Sequence, residues 1–458
     1  MTNPTSLKIL RIGAMLSVLA ALLAFAVRAA EAQEPAPQRL SLAEAARLAA
    51  AQTAGVQSAQ AQVQAAQARV TQSRAALLPQ VEAVPNWTDH TINSASFGFN
   101  FPAQPGQPPL LNPNGQIIGP VKLYDFRAQA SQTLFDAGAA LRVKAARANV
   151  TAANAQVSTA AEAAANTAAN AYVRALHGGA VVEARLADSS LAADLLRIAQ
   201  EQLSAGVGVA LDVTRAQSQL ATIHAQLIGA RNDRDRSMLD LRRALNIPLD
   251  QPLVLTDSLT ALALPLPGNE QAAVDTALMN RPDVRASDAQ LAAAEQQIAA
   301  IRATRLPTVS LFGNDGPTGL TFAHLLNTYT YGVQVNWPVF EGGRRTGQTQ
   351  EQEALARDIE IRRRDLRQQV GLDVRSAMLD IASAQEQVGA AQERERLAEQ
   401  EVTQARDRFR AGVAGNADVI TASLSLNSAR TAVVDALSAL QAARVSLARA
   451  EGTVSQLH

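Results

Sequence analysis

No cysteine occurs among the 458 residues. Disulfides, thiolate metal sites, a cysteine nucleophile and an N-terminal lipid on cysteine are therefore excluded. Neither sign of charge is in excess, with 41 Lys and Arg against 41 Asp and Glu. That balance excludes a general nucleic-acid binder, which collects phosphates on a basic face. Aromatic residues make up only 3%, too few for a core built around large rings. Beyond the amino-terminal stretch, no segment offers about 18 consecutive apolar residues, so no helical membrane span is expected there. Alanine is what is abundant, at roughly a fifth of the chain. It is the strongest helix former and lets helices approach closely. The composition therefore predicts long, thin, closely packed helices rather than the two to four ordinary domains that the length suggests.

Residues 1–32 carry Lys8 and Arg11, then the apolar run from Ile12 to Val27, then small residues. This is the order of a secretory signal, and Ala30-Glu31-Ala32 supplies a cleavage site between Ala32 and Gln33, with Ala30 as a second candidate. A retained anchor is the alternative, but the apolar run is short for a span. Removing the segment takes away Lys8, Arg11, Arg28 and Glu31, leaving 38 basic residues against 40 acidic. Export without cysteine suits an envelope protein stabilised by assembly.

The chain repeats itself. ARVTQSRAALLPQVEA (68–83) aligns with QQIAAIRATRLPTVSL (296–311), so Arg74 meets Arg302, Leu78 meets Leu306 and Pro79 meets Pro307. Phe135-Asp136-Ala137-Gly138 aligns with Phe340-Glu341-Gly342-Gly343, and SAGVGVALDV (204–213) with RAGVAGNADV (410–419). Gly206 then pairs with Gly412, and Asp212 with Asp418. The landmarks come in the same order and are not alanine-rich, which argues against chance similarity among helices.

The reading is a signal at 1–32, a first repeat at 33–247, a linker at 248–268 and a second repeat at 269–458. Each repeat runs helix, strand, loop, strand, very long helix, glycine turn and return helix. The first has a helix over 41–78, strands at 79–88 and 121–135, and helices at 139–203 and 211–247. The second has a helix over 269–305, strands at 307–313 and 329–340, and helices at 344–411 and 416–451. Gly313–Pro317 reads as a turn and His177-Gly178-Gly179 as an interruption of the first long helix. A 65-residue helix is about 100 Å long, several times a bilayer core.

In 329–340, YTYGVQVNWPVF, the residues Tyr331, Val333, Val335, Trp337 and Val339 take one face, and Thr330, Gly332, Gln334, Asn336 and Pro338 the other. This is the apolar-out, polar-in alternation of an outer-membrane strand, although a strand of a soluble sandwich alternates too. Export and strand number favour the membrane. Four strands cannot close a barrel, and an open edge in lipid leaves backbone groups unpaired, so the barrel must be shared between chains. Two copies give eight strands and three give twelve.

These features together resemble the TolC-like outer-membrane efflux proteins. The resemblance rests on the duplication, on Asn280-Arg281-Pro282-Asp283-Val284 opening the second repeat and on Leu-Pro before each first strand. It rests also on Phe-Glu-Gly-Gly after the last strand and on the glycine turns followed by Asp-Val. It covers roughly residues 40–452. It implies a mainly α, internally duplicated fold with a small β part: a long α-helical periplasmic barrel joined to a trimer-shared, 12-stranded outer-membrane β-barrel. It implies a homotrimer set in outer-membrane lipid. It also implies a passive exit duct for efflux or type I secretion, docked on a periplasmic adaptor (membrane fusion) protein and an inner-membrane RND, ABC or MFS pump. Two departures stand out: Gln52-Thr53-Ala54-Gly55 where such proteins often carry Asn-Pro, and the missing lipid-bearing cysteine.

Gly206 and Gly412 each close a very long helix, where glycine is the favoured residue. The acids Asp212 and Asp418 near the following helix starts suit the dipole there. In a trimer Asp418 would also form a ring of like charge that attracts cations. The resemblance places the family's constricting aspartate on Asp418, a second one on Thr421, the turn tyrosine on Phe409, the turn arginine on Ala414 and the partner acid on Asp212. The turns Gly206-Val207 and Gly412-Val413 are the expected adaptor-docking sites, and Tyr331, Val333, Val335 and Trp337 the expected lipid-facing set. No cofactor or metal is expected: the five histidines lack ligand spacing, and no phosphate loop or G-x-S-x-G occurs. An enzyme therefore ranks last. A non-conducting structural or adhesive envelope protein, a periplasmic coiled coil, ranks second, because candidate a and d positions hold Ala, Gln and Ser.

Overall fold

The computed structural model describes residues 37–97, 115–260 and 268–457. The signal segment with Ala32 and Gln33, nearly all of the 104–115 loop and residues 261–267 lie outside them. The chain divides into two units, each drawing on both sequence repeats. One comprises residues up to Ser58, Ser158–Pro282 and Gln368 onward; the other comprises Ala59–Val157 and Asp283–Arg367.

The helices are α1 (Leu42–Gln52), α2 (Ala54–Ala75), α3 (Ala137–Ser204), α4 (Ala210–Ala244), α5 (Glu270–Asn280), α6 (Pro282–Ala303), α7 (Arg344–Arg410) and α8 (Asn416–Glu451). The strands are β1 (Gln38–Leu40), β2 (Gln80–Asn93), β3 (Ile117–Phe135), β4 (Leu253–Leu255), β5 (Thr308–Gly319) and β6 (Leu326–Asn336). At 68 residues, α3 is about 100 Å long. No helix among the described residues is long and apolar enough to cross a membrane.

Several expected boundaries move. The helix expected over 41–78 is two helices, broken where Thr53 turns extended (ψ 153°). The one expected over 269–305 breaks at Arg281, because Pro282 disfavours helical geometry in the residue before it. Gly313–Pro317, expected as a turn, belongs to β5, and the reversal falls after Gly319. The last strand ends at Asn336, and Trp337 to Phe340 follow it; Pro338 has no N–H to give a ladder. The stretch at 248–268 is more than a linker. Its β4 pairs in parallel with β1, through Gln38 with Leu253 and Leu40 with Leu255.

In the first unit the core gathers around Tyr172, which is fully buried among Ala45, Ala49, Ala168, Leu241 and Leu245. Its hydroxyl donates to the Leu40 carbonyl at 2.9 Å and lies 3.0 Å from the Asp257 carboxylate. That carboxylate also accepts from the Leu42 N–H at 2.7 Å. The phenol thus ties β1 and the stretch after β4 to the middle of α3. Glu162 closes the other side by accepting from the Val454 and Ser455 amides at 2.6 and 3.2 Å.

Alanine lets the long helices pack closely, and charged residues tie them together. Asp188 on α3 is fully buried. It accepts from Arg185 at 3.0 Å and from Arg430 of α8 at 3.1 Å. Arg185 also donates to Thr431 at 2.8 Å, and Arg430 reaches Glu395 and Glu399 of α7 at 3.9 and 3.6 Å. Burial, and then the neighbouring Glu399, raise the pKa of Glu395, with Arg430 pulling the other way.

The His177-Gly178-Gly179 motif does not interrupt α3, which runs through it. The two glycines have different surroundings. A side chain at Gly178 would meet the Arg234 Cα at 3.0 Å and the Ser237 hydroxyl at 3.1 Å, so this glycine lets α4 approach. Gly179 has nothing within 4 Å. His177 bonds Asp435 of α8 at 2.8 Å. Gly179→Ala should therefore raise stability by up to about 1 kcal/mol through helix propensity. Gly178→Leu should lower it by about 1–3 kcal/mol through overpacking. Urea unfolding followed by circular dichroism at 222 nm checks both; equal effects would mean that the α3–α4 approach is not as described.

Candidate functional site

Two features have geometry that bears on function, one in each unit. The first is the four-stranded antiparallel sheet of order β2-β3-β5-β6. Val335 pairs with Val309, Val333 with Leu311 and Tyr331 with Gly313. Gly313 pairs in turn with Ala130, and Ala130 with Val81. Cross-strand partners share a side, so Tyr331, Val333 and Val335 lie on one face with Val309, Leu311, Ala130 and Val81. By the same pairings Gln334, Thr330, Ser310, Asn314, Gln129 and Glu82 share the other face. Register thus sorts the middle of the sheet into a largely apolar face, on which Gln132 and Asp315 are polar members, and an amide- and hydroxyl-rich face that also holds Phe312.

Among the described residues nothing covers the apolar face. Tyr331 is 77% exposed, Val333 62% and Val335 63%. Trp337, just past β6, is also exposed, and its indole N–H donates to the Arg305 carbonyl at 3.2 Å. Aromatic rings gather on the apolar side: Phe322 packs against Tyr124 and Phe126 at 4.5 and 5.7 Å, and Tyr329 stacks on Tyr331 at 5.9 Å. On the polar face Arg127 and Asp125 form a two-pronged ion pair. Phe312 covers Gly332, where an added side chain would meet its ring at 3.0 Å. Among the described residues strands β2 and β6 each pair on one side only, which leaves two open edges.

The second feature is the pair of glycine turns. Gly206 adopts φ 76° and Gly412 φ 74°, the left-handed region that glycine enters without strain. The Val207 N–H donates to the Gln202 carbonyl at 3.0 Å and the Gly206 N–H to Leu203 at 3.1 Å. Val413 and Gly412 donate in the same way to Arg408 and Phe409, both at 3.0 Å. These are two copies of one helix-closing motif. That motif often buries the side chain after the glycine; here Val207 and Val413 are 80% and 69% exposed.

The residues around the turns divide into buried and exposed sets. Phe409 is buried with Leu195, Ile198, Ala216 and Val419. Its carbonyl accepts from the Gln202 side chain at 2.8 Å. Asp212 is largely covered and lies 3.9 Å from Arg215. Asp418 and Thr421 lie on the exposed side of α8, and the Thr421 hydroxyl donates to the Ala417 carbonyl at 2.9 Å. Sequence reasoning missed Asn416, which is fully buried and donates from its amide to the Asp212 carbonyl at 2.8 Å. Next to Gly415 it reads only as a helix-start residue. No cluster of metal-ligating side chains occurs among the described residues.

With this geometry in hand, comparison places the chain among known proteins. The model of the outer membrane efflux protein family matches residues 45–246 and 273–453, and the chain belongs to that family. The probable efflux pump outer membrane protein SepC of Pseudomonas putida is 30% identical over 172 residues, 35% of this chain and 34% of SepC. The alkaline protease secretion protein AprF of Pseudomonas aeruginosa is 25% identical over 181 residues, 38% of this chain and 37% of AprF. These alignments therefore span little more than a third of each relative. The fold extends further: the outer membrane protein VceC from Vibrio cholerae matches with a TM-score of 0.72 at 20% identity, over 90% of this chain and 96% of VceC. The described fold is thus that of the TolC-like channels, mainly α with a β part.

The sheet yields a direct contrast between its faces. If the apolar face meets lipid, Val333→Arg, inside β6 (Leu326–Asn336) rather than at its end, should hinder assembly by roughly 2–4 kcal/mol per site, the cost of a cation on a lipid face near mid-membrane. Gln334→Arg should leave assembly intact and alter only ion selectivity. The amount of folded protein recovered from outer membranes, followed by bilayer recording, checks this; equal tolerance would overturn the assignment of faces.

Proposed function

We propose that the chain is one third of a passive exit duct in the outer membrane. In this reading three copies each give four strands to one twelve-stranded barrel, and their long helices line a periplasmic passage. The observation that carries it is the sheet with an uncovered apolar face, a polar face and two open edges. An apolar face needs lipid, and open edges in lipid need partners, since no water is there to satisfy them. A polar face turned inward then lines an aqueous pore. Energy comes from an inner-membrane pump through a periplasmic adaptor, and the chain itself performs no chemical step. The efflux and secretion relatives support both kinds of cargo traffic.

Within this duct the exposed turns at Gly206-Val207 and Gly412-Val413 dock the adaptor, offering the exposed apolar side chains of Val207 and Val413. Asp418 forms a ring of three carboxylates at the periplasmic tip, with Thr421 one turn further along α8. Phe409 and Asp212 hold the helix ends behind it through the buried cluster and Asn416. Phe409 lacks a hydroxyl, so the gate has fewer polar links than a tyrosine there would give.

Single-channel recording of the purified protein in a planar bilayer tests the reading. Conductance as a trimer supports it; a trimer that never conducts, even with the tip mutated, would indicate a structural envelope protein instead. Two variants separate docking from gating. Gly412→Pro, which cannot adopt the observed φ, should abolish export while the barrel still assembles. Asp418→Ala should weaken block by multivalent cations and leave export largely intact. Normal export by the Gly412 variant would refute the docking assignment, and unchanged cation block would refute the charge ring.

A further inference from the structure

A carboxylate stands on the apolar face of the sheet. Register sets Asp315 of β5 between Ala128 of β3 and Tyr329 of β6, on the side shared with Leu311 and Val333. In the duct such a group faces hydrocarbon, where an ionisable side chain is costly and marks a site with a partner. The Asn327 side-chain amide donates to one Asp315 oxygen at 2.8 Å. The other oxygen has no partner among the described residues. Lys122, the basic residue on this face of β3, lies six residues from Ala128 and opposite Asp89. The edge strands β2 and β6 contain no Lys or Arg, so a neighbouring copy paired there brings no cation to Asp315.

The carboxylate borders a hollow. Ala128 and Ala130 of β3 and Gly313 of β5 are small residues that meet across the sheet, and they form the floor of a notch of about 450 Å³. Tyr329 and Tyr331, stacked at 5.9 Å with their planes 12° apart, wall it on the β6 side, and Val81 bounds it on the β2 side. Asp315 and Asn327 stand at the end farther from the long helices. The notch is thus an apolar slot with hydrogen-bond acceptors at one end.

Its depth says what meets those acceptors. Tyr329, level with Asp315, precedes Trp337 by eight residues, and Trp337 lies at the end of the sheet next to α7. Eight residues of a strand tilted by about 40° rise about 20 Å. With Trp337 at the periplasmic boundary, Asp315 lies about 20 Å into an apolar band about 25 Å tall, roughly 5 Å beneath its outer edge. Lipid chains join their headgroups at that level. An ester-linked phospholipid chain offers only acceptors there. An amide-linked, 3-hydroxylated chain offers an N–H and an O–H, the donors that a carboxylate requires.

We propose that the notch binds one outer-leaflet glycolipid of the lipid A type, with Asp315 accepting from the amide N–H or 3-hydroxyl of a chain that runs down over Ala128, Ala130 and Gly313 along the tyrosine wall. The proposal rests on the duct reading, which turns this face to lipid. Native mass spectrometry of the protein in detergent, with added lipid A or phosphatidylethanolamine, tests it. The wild-type trimer should retain up to three lipid A molecules and prefer them to phosphatidylethanolamine. Asp315→Leu removes the acceptor, and Gly313→Leu fills the slot. A side chain at Gly313 meets the Thr330 carbonyl oxygen at 3.6 Å and the Tyr331 Cβ at 3.7 Å, ordinary contacts that the strands accept. Each variant should retain lipid A about tenfold less well, for Asp315→Leu the loss of one charge-assisted hydrogen bond, with phosphatidylethanolamine retention unchanged. Val335→Leu, outside the notch on the same face, should alter neither. A trimer that holds lipid A no better than phosphatidylethanolamine, or holds it equally after both substitutions, overturns the site and leaves the duct standing. A protein that forms no trimer overturns the duct reading and the site with it.

Discussion

The backbone at the edges of a four-stranded sheet governs what this molecule can be. Among the described residues β2 and β6 each have a partner on one side only, and their apolar face is uncovered. In water such edges could be solvated. Against lipid each unpaired N–H or C=O costs several kcal/mol, and only closure removes the cost. A sheet this short cannot close on itself, so in the proposed duct assembly is a condition of folding in the membrane rather than a later event. In that proposed barrel the polar face follows from the same constraint, because closing with the apolar side outward would leave Gln334, Asn314 and Gln129 around the enclosed space.

The helices answer a different problem. A wall of long, thin helices has little depth in which to bury large side chains, and alanine lets the backbones come close without them. Close approach alone specifies little about how far one helix slides along another. The polar ties supply that information: Asp188 between Arg185 and Arg430, His177 against Asp435, and Gln202 on the Phe409 carbonyl. A buried carboxylate such as Asp188 is costly unless every partner is in place, so it fixes the register of α3 on α8. Tyr172 and Glu162 do the same where the chain ends and the short strands join the long helix.

Much of this was legible in the sequence, for identifiable reasons. The duplicated landmarks, the strand alternation around Val333 and Val335, and the glycines at 206 and 412 are local signals, set by the two-residue period of strands and by the left-handed turn. The extent of β5 was not legible, because Gly313–Pro317 has turn chemistry and only its pairing with Asn327–Tyr331 of β6 and Ala128–Ala130 of β3 makes it strand. Gly178 and Gly179 look alike in sequence; the approach of α4 at Arg234 distinguishes them. Asn416 and Asp188 were invisible for the same reason, since a buried polar residue announces itself only through partners some 200 positions away. The β1–β4 pair was hidden because two three-residue strands carry too little pattern to read.

The central claim is that the open edges of this sheet are paired by neighbouring copies. Amide hydrogen exchange of the protein in lipid, read residue by residue along β2, β3 and β6, tests it most directly. Closure predicts that the β2 and β6 amides directed away from β3 and β5 are as slow to exchange as those in the middle of β3. Edge amides that exchange orders of magnitude faster while β3 stays protected would mean that the sheet remains open, and would contradict the account.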